Sequence, residues 1–250
     1  MKYFTFAALV ALFVSCGIED YPYLYPVPTG NVTNDFNYSA TVIIPGDNFG
    51  NQYFTNYLIY YRIYISNYYT QSPLKDDNNY TNINTSLNTH HTQVEQYIGN
   101  DNMGSSQVAS LFRNINYYSL ALEGANIDNI LSGGSGQTEL VIDFSRDTET
   151  IPYLTIGGGT RYRLLRSIDR GNTPKPDNRY FLHTPDLVNE DNIASSVINS
   201  DISDRSSSTA ERDYTYISMY IVATGIDPQT FTQIYSSPTQ IGVLILPIPD

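Results

Sequence analysis

Tryptophan is absent from this chain, cysteine occurs once, histidine three times, and 13 basic residues stand against 25 acidic ones. Each shortage closes a route. A single cysteine, Cys16, cannot pair within the chain, so no disulfide framework is available. With a formal charge of −12, no basic stripe exists to neutralise phosphates. The densest positive cluster is Arg161, Arg163, Arg166 and Arg170, and nucleic acid is therefore not expected as a partner. The same acidity argues against a face for anionic lipid. No apolar run approaches the roughly 20 residues a spanning helix needs.

Chemical motifs are equally scarce. His90 and His91 are adjacent and His183 is far away, with no HExxH or cysteine spacing for zinc, so no metal or other cofactor is expected. His91 is placed on the inner face of a helix and His90 toward water. Gly157-Gly158-Gly159 and Ser132 to Gly136 lack the layouts that cradle phosphate and read as turns. No G-x-S-x-G elbow supports a serine nucleophile. Asp76-Asp77-Asn78-Asn79 and Asn189-Glu190-Asp191-Asn192 lack the spacing of an organised calcium loop. Paired carboxylates for glycan hydrolysis would need a measured separation, so an enzyme is the weaker expectation.

What is present begins at the N-terminus. Lys2 precedes an uncharged apolar run, Phe4 to Val14, which leads into Val14-Ser15-Cys16-Gly17. The run is long enough for an export signal and too short to span a bilayer. A cysteine behind a small residue at the cleavage point is the pattern of a bacterial lipoprotein signal. Phe13 departs from the Leu common three places before that cysteine. The reading is a signal peptide over 1–15 and an acylated Cys16, which gives the lone thiol a purpose; an ordinary secretory signal with an incidental cysteine is the alternative. Removing 1–15 takes away Lys2 and no acid, leaving about −13, so membrane association would rest on acyl chains such as palmitate.

Residues 16–37 contain Pro22, Pro26, Pro28 and Gly30 among tyrosines and read as a semi-rigid tether, its second half passing into an edge strand. From 38 to 250 one decorated domain is expected. The 23 Tyr and 10 Phe, with many Ile, Val and Thr, suit half-buried pleated surfaces. Ala40, Val42 and Ile44 alternate with Thr41 and Ile43. In Asn56 to Ser66, Ile59, Tyr61, Ile63 and Ile65 share one face and Leu58, Tyr60, Arg62 and Tyr64 the other. Asp213 to Ala223 alternates Ile217, Met219 and Ile221 with Tyr216, Ser218 and Tyr220, and Phe231–Tyr235 and Ile241–Leu246 follow as strands. Further strands fit Tyr118–Leu122, Leu140–Phe144, Ile151–Ile156, Thr160–Ile168 and Arg179–Thr184, while Asp186 to Ser208 reads as a surface excursion.

About 50 residues between Ser66 and Tyr117 are too many for a loop. A helix capped by Thr85 or Ser86 would bury Leu87, His91, Val94 and Ile98 and end at Gly99; a second, over Ser105 to Asn114, would bury Val108, Leu111 and Phe112. The fold class is thus mainly β, an antiparallel sandwich with a helical (αα) insertion at about 67–116 lying across a sheet edge or end. Tyr60, Tyr64, Tyr216 and Tyr220 form an aromatic strip on two neighbouring strands. The strip is either a surface for a protein or glycan ligand or the floor beneath the inserted helices.

Four pieces resemble a fibronectin type III domain in order: Pro26-Val27-Pro28, Ser39 to Ile44, Tyr57 to Tyr64, and Tyr216 to Ala223 with Ser237-Pro238 in the strand that follows. That family's core tryptophan is missing, and the long span between the third and fourth pieces implies a decorated relative. The lipobox, "NYLIYYRIYIS" and "YISMYIVATGIDPQTFTQIYSSPTQIGVLILP" resemble treponeme-type spirochaetal lipoproteins of unknown function. The resemblance implies an envelope lipoprotein and carries over no catalytic residue; Gly17, rather than Asp, after Cys16 favours outer-membrane sorting by analogy with enteric bacteria. Expected is a non-enzymatic binding or interaction module; the alternatives are a periplasm-facing structural lipoprotein and an envelope glycan hydrolase.

Overall fold

In the computed structural model, residues 22–35, 38–66, 68, 80–99, 107–132, 136–145, 152–166, 181, 201–203 and 214–246 are described. Strands dominate: β1 Val32–Asp35, β2 Ser39–Ile44, β3 Phe54–Ser66, β4 Tyr118–Ser119, β5 Ala121–Leu122, β6 Thr138–Asp143, β7 Tyr153–Ile156, β8 Thr160–Leu165, β9 Tyr214–Ile226, β10 Gln233–Tyr235 and β11 Thr239–Leu246. The helices are short: α1 Thr85–Ile98, α2 Val108–Asn114 and α3 Ile127–Ile130. Two antiparallel sheets result, one of them curled into a half-barrel. One runs β1-β2-β6-β7-β8-β5; the other runs β10-β9-β3-β4, with β11 also on β9.

The second sheet is built on the β3–β9 ribbon, paired from Phe54↔Gly225 to Ser66↔Tyr214. Residues opposite one another in an antiparallel ladder point to the same side. The predicted alternation therefore sorts Ile59/Ile221, Tyr61/Met219 and Ile63/Ile217 to the inner face and Tyr60/Tyr220, Arg62/Ser218 and Tyr64/Tyr216 to the outer one. The inner set packs with Ala40, Val42, Ile44, Leu140, Ile142 and Leu154 from the facing sheet. Each Ile, Leu or Val so buried contributes about 1.5–3 kcal/mol.

Four expectations are corrected. The span read as a tether is, over its described part, wall of the domain: Leu24 and Val27 are 3% and 2% exposed and belong to the inter-sheet core. The polypeptide there is pinned through its backbone, because Thr239 Oγ1 donates to Val27 O and the buried Asn48 side chain bonds both N and O of Tyr25. Tyr118–Leu122 is not one strand. Tyr118 and Ser119 pair with β3, Leu120 N donates to Ile59 O, and Ala121 and Leu122 then pair with β8, so the chain changes sheet at Leu120. The surface excursion returns to the core at 201–203, where Ile63 N donates to Asp201 O and Ser203 N to Ile63 O along the edge of β3 beyond β4. Finally, the last hairpin strand begins at Gln233, leaving Phe231 in the loop with φ 55°.

Hairpin β7–β8 closes on Gly157 and Gly158, whose φ values of 58° and 68° are open to glycine at little steric cost. Of the predicted Arg179–Thr184 strand only Phe181 is described; it is buried against Tyr61 and Phe144. Cys16 and the signal segment, the Asp76–Asn79 and Asn189–Asn192 clusters, Ser105, Ser106, Arg170 and His183 lie outside the described residues.

Candidate functional site

The aromatic strip assembles in register, Tyr60 opposite Tyr220 and Tyr64 opposite Tyr216. It is not an open surface: Tyr60 is 9% exposed and the other three 0%. Helices α1 and α2 cover it, packing on the face of the sheet rather than across its edge, because that face is aromatic and apolar and needs a lid. The start of α1 is capped by Asn84, whose Oδ1 accepts from Ser86 N at 2.9 Å and Leu87 N at 3.1 Å; Thr85 and Ser86 are already helical. Leu87, His91, Val94 and Tyr97 are buried, while Ile98, assigned to that stripe by periodicity, is exposed. From α2, Val108 and Phe112 are buried and Leu111 partly so. Phe112 stacks on Tyr60 with centroids 4.4 Å apart and reaches Tyr117 and Tyr220.

Hydroxyls buried beneath helices need partners. Tyr64 OH lies 2.7 Å from His90 Nδ1 and donates to Tyr117 OH, which donates to Ser218 Oγ at 2.9 Å. His91 Nδ1 is 3.0 Å from Tyr220 OH, and the His91 ring meets Tyr80 edge-on. Gln240 Nε2 donates to Tyr80 OH. His90 thus faces the sheet rather than water. Arg62 enters the layer from β3, 7% exposed, with Nη1 donating to Ile115 O and its guanidinium 5.7 Å above the Tyr64 ring. Its Nε has no hydrogen-bond partner among the described residues. Tyr216 OH donates to Tyr68 O at 2.6 Å, just past the end of β3.

Electrostatically, the histidines and tyrosines of the layer are shifted toward their neutral forms beside the charged Arg62. Burial, then the charge of Arg62, lowers His90 to about 4; burial lowers His91 against the pull of Glu95. Burial raises Tyr117 to about 12 and carries Tyr64 and Tyr220 well above their ordinary value. A general acid or base works best with a pKa near the operating pH, and these groups are all displaced away from neutrality. The arrangement supplies fixed polar cross-links between helices and sheet.

A second polar constellation was not foreseen. Arg166, 2% exposed, grips Asp201, 0% exposed, with Nε to Oδ2 at 2.7 Å and Nη2 to Oδ1, while Tyr61 OH donates to Oδ2 at 2.9 Å. It ties the end of β8 to the 201–203 segment through the central strand. Around the sheet-switching corner lies a shallow cleft of about 420 Å³, bordered by Leu58, Tyr60, Leu122, Asn126 and Asp128. Asp128 already accepts from Asn56 Nδ2 there. Among the described residues no group of three His, Cys, Asp or Glu is placed to hold a metal ion, and no helix is long and apolar enough to cross a membrane. Comparison with protein families, curated proteins and solved structures finds no match for this chain.

Proposed function

We propose that the chain is a cell-envelope lipoprotein, anchored through acylated Cys16 to the outer membrane, whose β-domain serves as a non-enzymatic binding or interaction module. The observation that carries this reading is the N-terminal sequence: Lys2, the apolar run to Val14, and Val14-Ser15-Cys16-Gly17 holding the chain's single cysteine. Buried histidines and tyrosines shifted toward their neutral forms support a scaffold role over acid–base chemistry. We also read the domain as a decorated fibronectin type III-like sandwich of a treponeme-type spirochaetal lipoprotein. In its support, the first and second strands share one sheet, while the third strand, β9 and β11 share the other with β9 in the middle. The final strand is interrupted at Ser236-Ser237-Pro238, both halves lying along β9.

The test is acylation in a bacterial host. Labelled palmitate is expected in the wild-type protein and not in Cys16→Ser, which should leave the detergent phase and retain residues 1–15. Label that persists in Cys16→Ser, or a mature N-terminus elsewhere than Cys16, overturns the reading. Protease digestion of intact cells then separates surface display from a periplasm-facing structural role, which would give protection until permeabilisation.

A further inference from the structure

Among the described residues six large apolar side chains are exposed, and four of them sit at one end of the domain: Tyr23 at 59%, Tyr25 at 49%, Ile226 at 51% and Phe231 at 84%. Contacts place them together. Ile226 N donates to Tyr53 O, Asn51 Nδ2 donates to Tyr23 O at 2.9 Å, and Tyr23 meets Tyr25 edge-on with centroids 5.1 Å apart. The backbones approach so closely that a Cβ on Gly225 would come 2.1 Å from Tyr53 O and 3.2 Å from the Leu24 side chain.

The display is rigid. Asp227 accepts from Gln229 N and Thr230 Oγ1, Asp227 N donates to Thr232 O, and Phe231 N donates to Asp227 O at 2.8 Å. These bonds hold Phe231 at φ 55°, a conformation that costs a non-glycine residue about 1–2 kcal/mol, with its ring facing outward. A phenylalanine held in strain and facing water points to a role outside the domain's own packing.

The occupant is indicated by where the chain enters. The described chain begins at Pro22, at this same end, and the seven residues from Cys16 to Pro22 extend at most about 25 Å. An acylated Cys16 therefore holds this end within that distance of the bilayer, and holds it there at high local concentration. We infer that Tyr23, Tyr25, Ile226 and Phe231 form a membrane-docking patch that rests in the headgroup region of the lipid surface and sets the domain upright on its anchor. Amphipathic and aromatic rings are favoured at that depth. The contact needs no basic residue, which suits a chain of charge −12. This inference rests on the acylation of Cys16 proposed above.

The absence of tryptophan provides the probe. Full-length lipoprotein carrying Phe231→Trp, with Ile226→Trp as a second reporter, is reconstituted into phosphatidylcholine vesicles with and without lipids brominated high in the acyl chain. Tyr68→Trp, exposed beyond the other end of β3 and about 40 Å away, is the control. Both patch reporters are expected to shift to the blue and lose about twofold of their emission to brominated lipid, with the control unchanged. Vesicle flotation is scored in parallel. Protein that floats while patch and control tryptophans respond alike overturns docking, leaves acylation standing, and frees the patch for a protein partner. Protein that does not float overturns the anchor and docking with it.

Discussion

The two faces of the β3–β9 ribbon are made by alternate residues of the same two strands, yet they are different solids. The inner face meets the opposite sheet through Ile59, Ile63, Ile217, Met219 and Ile221, with few polar atoms to satisfy. Outside, under α1 and α2, it presents Tyr60, Arg62, Tyr64, Tyr216, Ser218 and Tyr220, and there hydrogen bonds fix which helix lies where. Aliphatic packing tolerates repacking when volume is kept. A hydroxyl chain does not, since removing one member strands the next. The inner face thus supplies cohesion and the outer face position.

The largest effect should come where a charge breaks that division. Asp201→Ala leaves the buried Arg166 without its bidentate partner and is expected to cost about 3–5 kcal/mol in urea denaturation. Replacing the pair with Arg166→Met and Asp201→Leu should recover much of that loss; an unchanged midpoint in the single variant would mean that the ion pair holds nothing. On the outer face, Tyr117→Phe removes the hydroxyl between Tyr64 and Ser218 and should cost about 1–2 kcal/mol while leaving the sheet's circular dichroism intact. A neutral outcome would reduce that layer to plain packing and erase the contrast with the inner one.

A third effect is a pH dependence from the outer layer. His90 is lowered to about 4 when folded and titrates near 6.5 when unfolded. Between those values the unfolded chain binds a proton that the folded chain refuses. Stability from this group is therefore complete above about 6.5 and declines as pH falls toward about 4. His91 is shifted in the same direction. His90→Gln should flatten the fall in urea midpoint across that window relative to wild type, and parallel curves would remove His90 from the account.

Much of the ribbon was legible. Strict alternation in Asn56–Ser66 and Asp213–Ala223 divided the side chains of each strand between two faces, because successive residues of a strand point to opposite sides. The candidate strip was half legible: the sequence placed four tyrosines on one face, but only the helix packing decides between exposure and burial. Asn84 was missed as a cap because Thr85 and Ser86 beside it cap equally well by type. A helical wheel turns His90 to solvent, because it carries no information about a tyrosine reaching up from the sheet. Leu120 left no mark of a sheet switch, since two-residue strands carry no period. Arg166 and Asp201 pair across 35 positions through geometry that local pattern does not encode.

The β3–β9 ladder has a temporal consequence. Its nearest partners, Ser66 and Tyr214, enclose a loop of about 150 residues, and the first strand of the pair is made long before the second. Contacts of such sequence separation form late, so a nascent chain has no central sheet until nearly all of it exists. The connectivity that makes the core cohesive delays its assembly until both strands have been made.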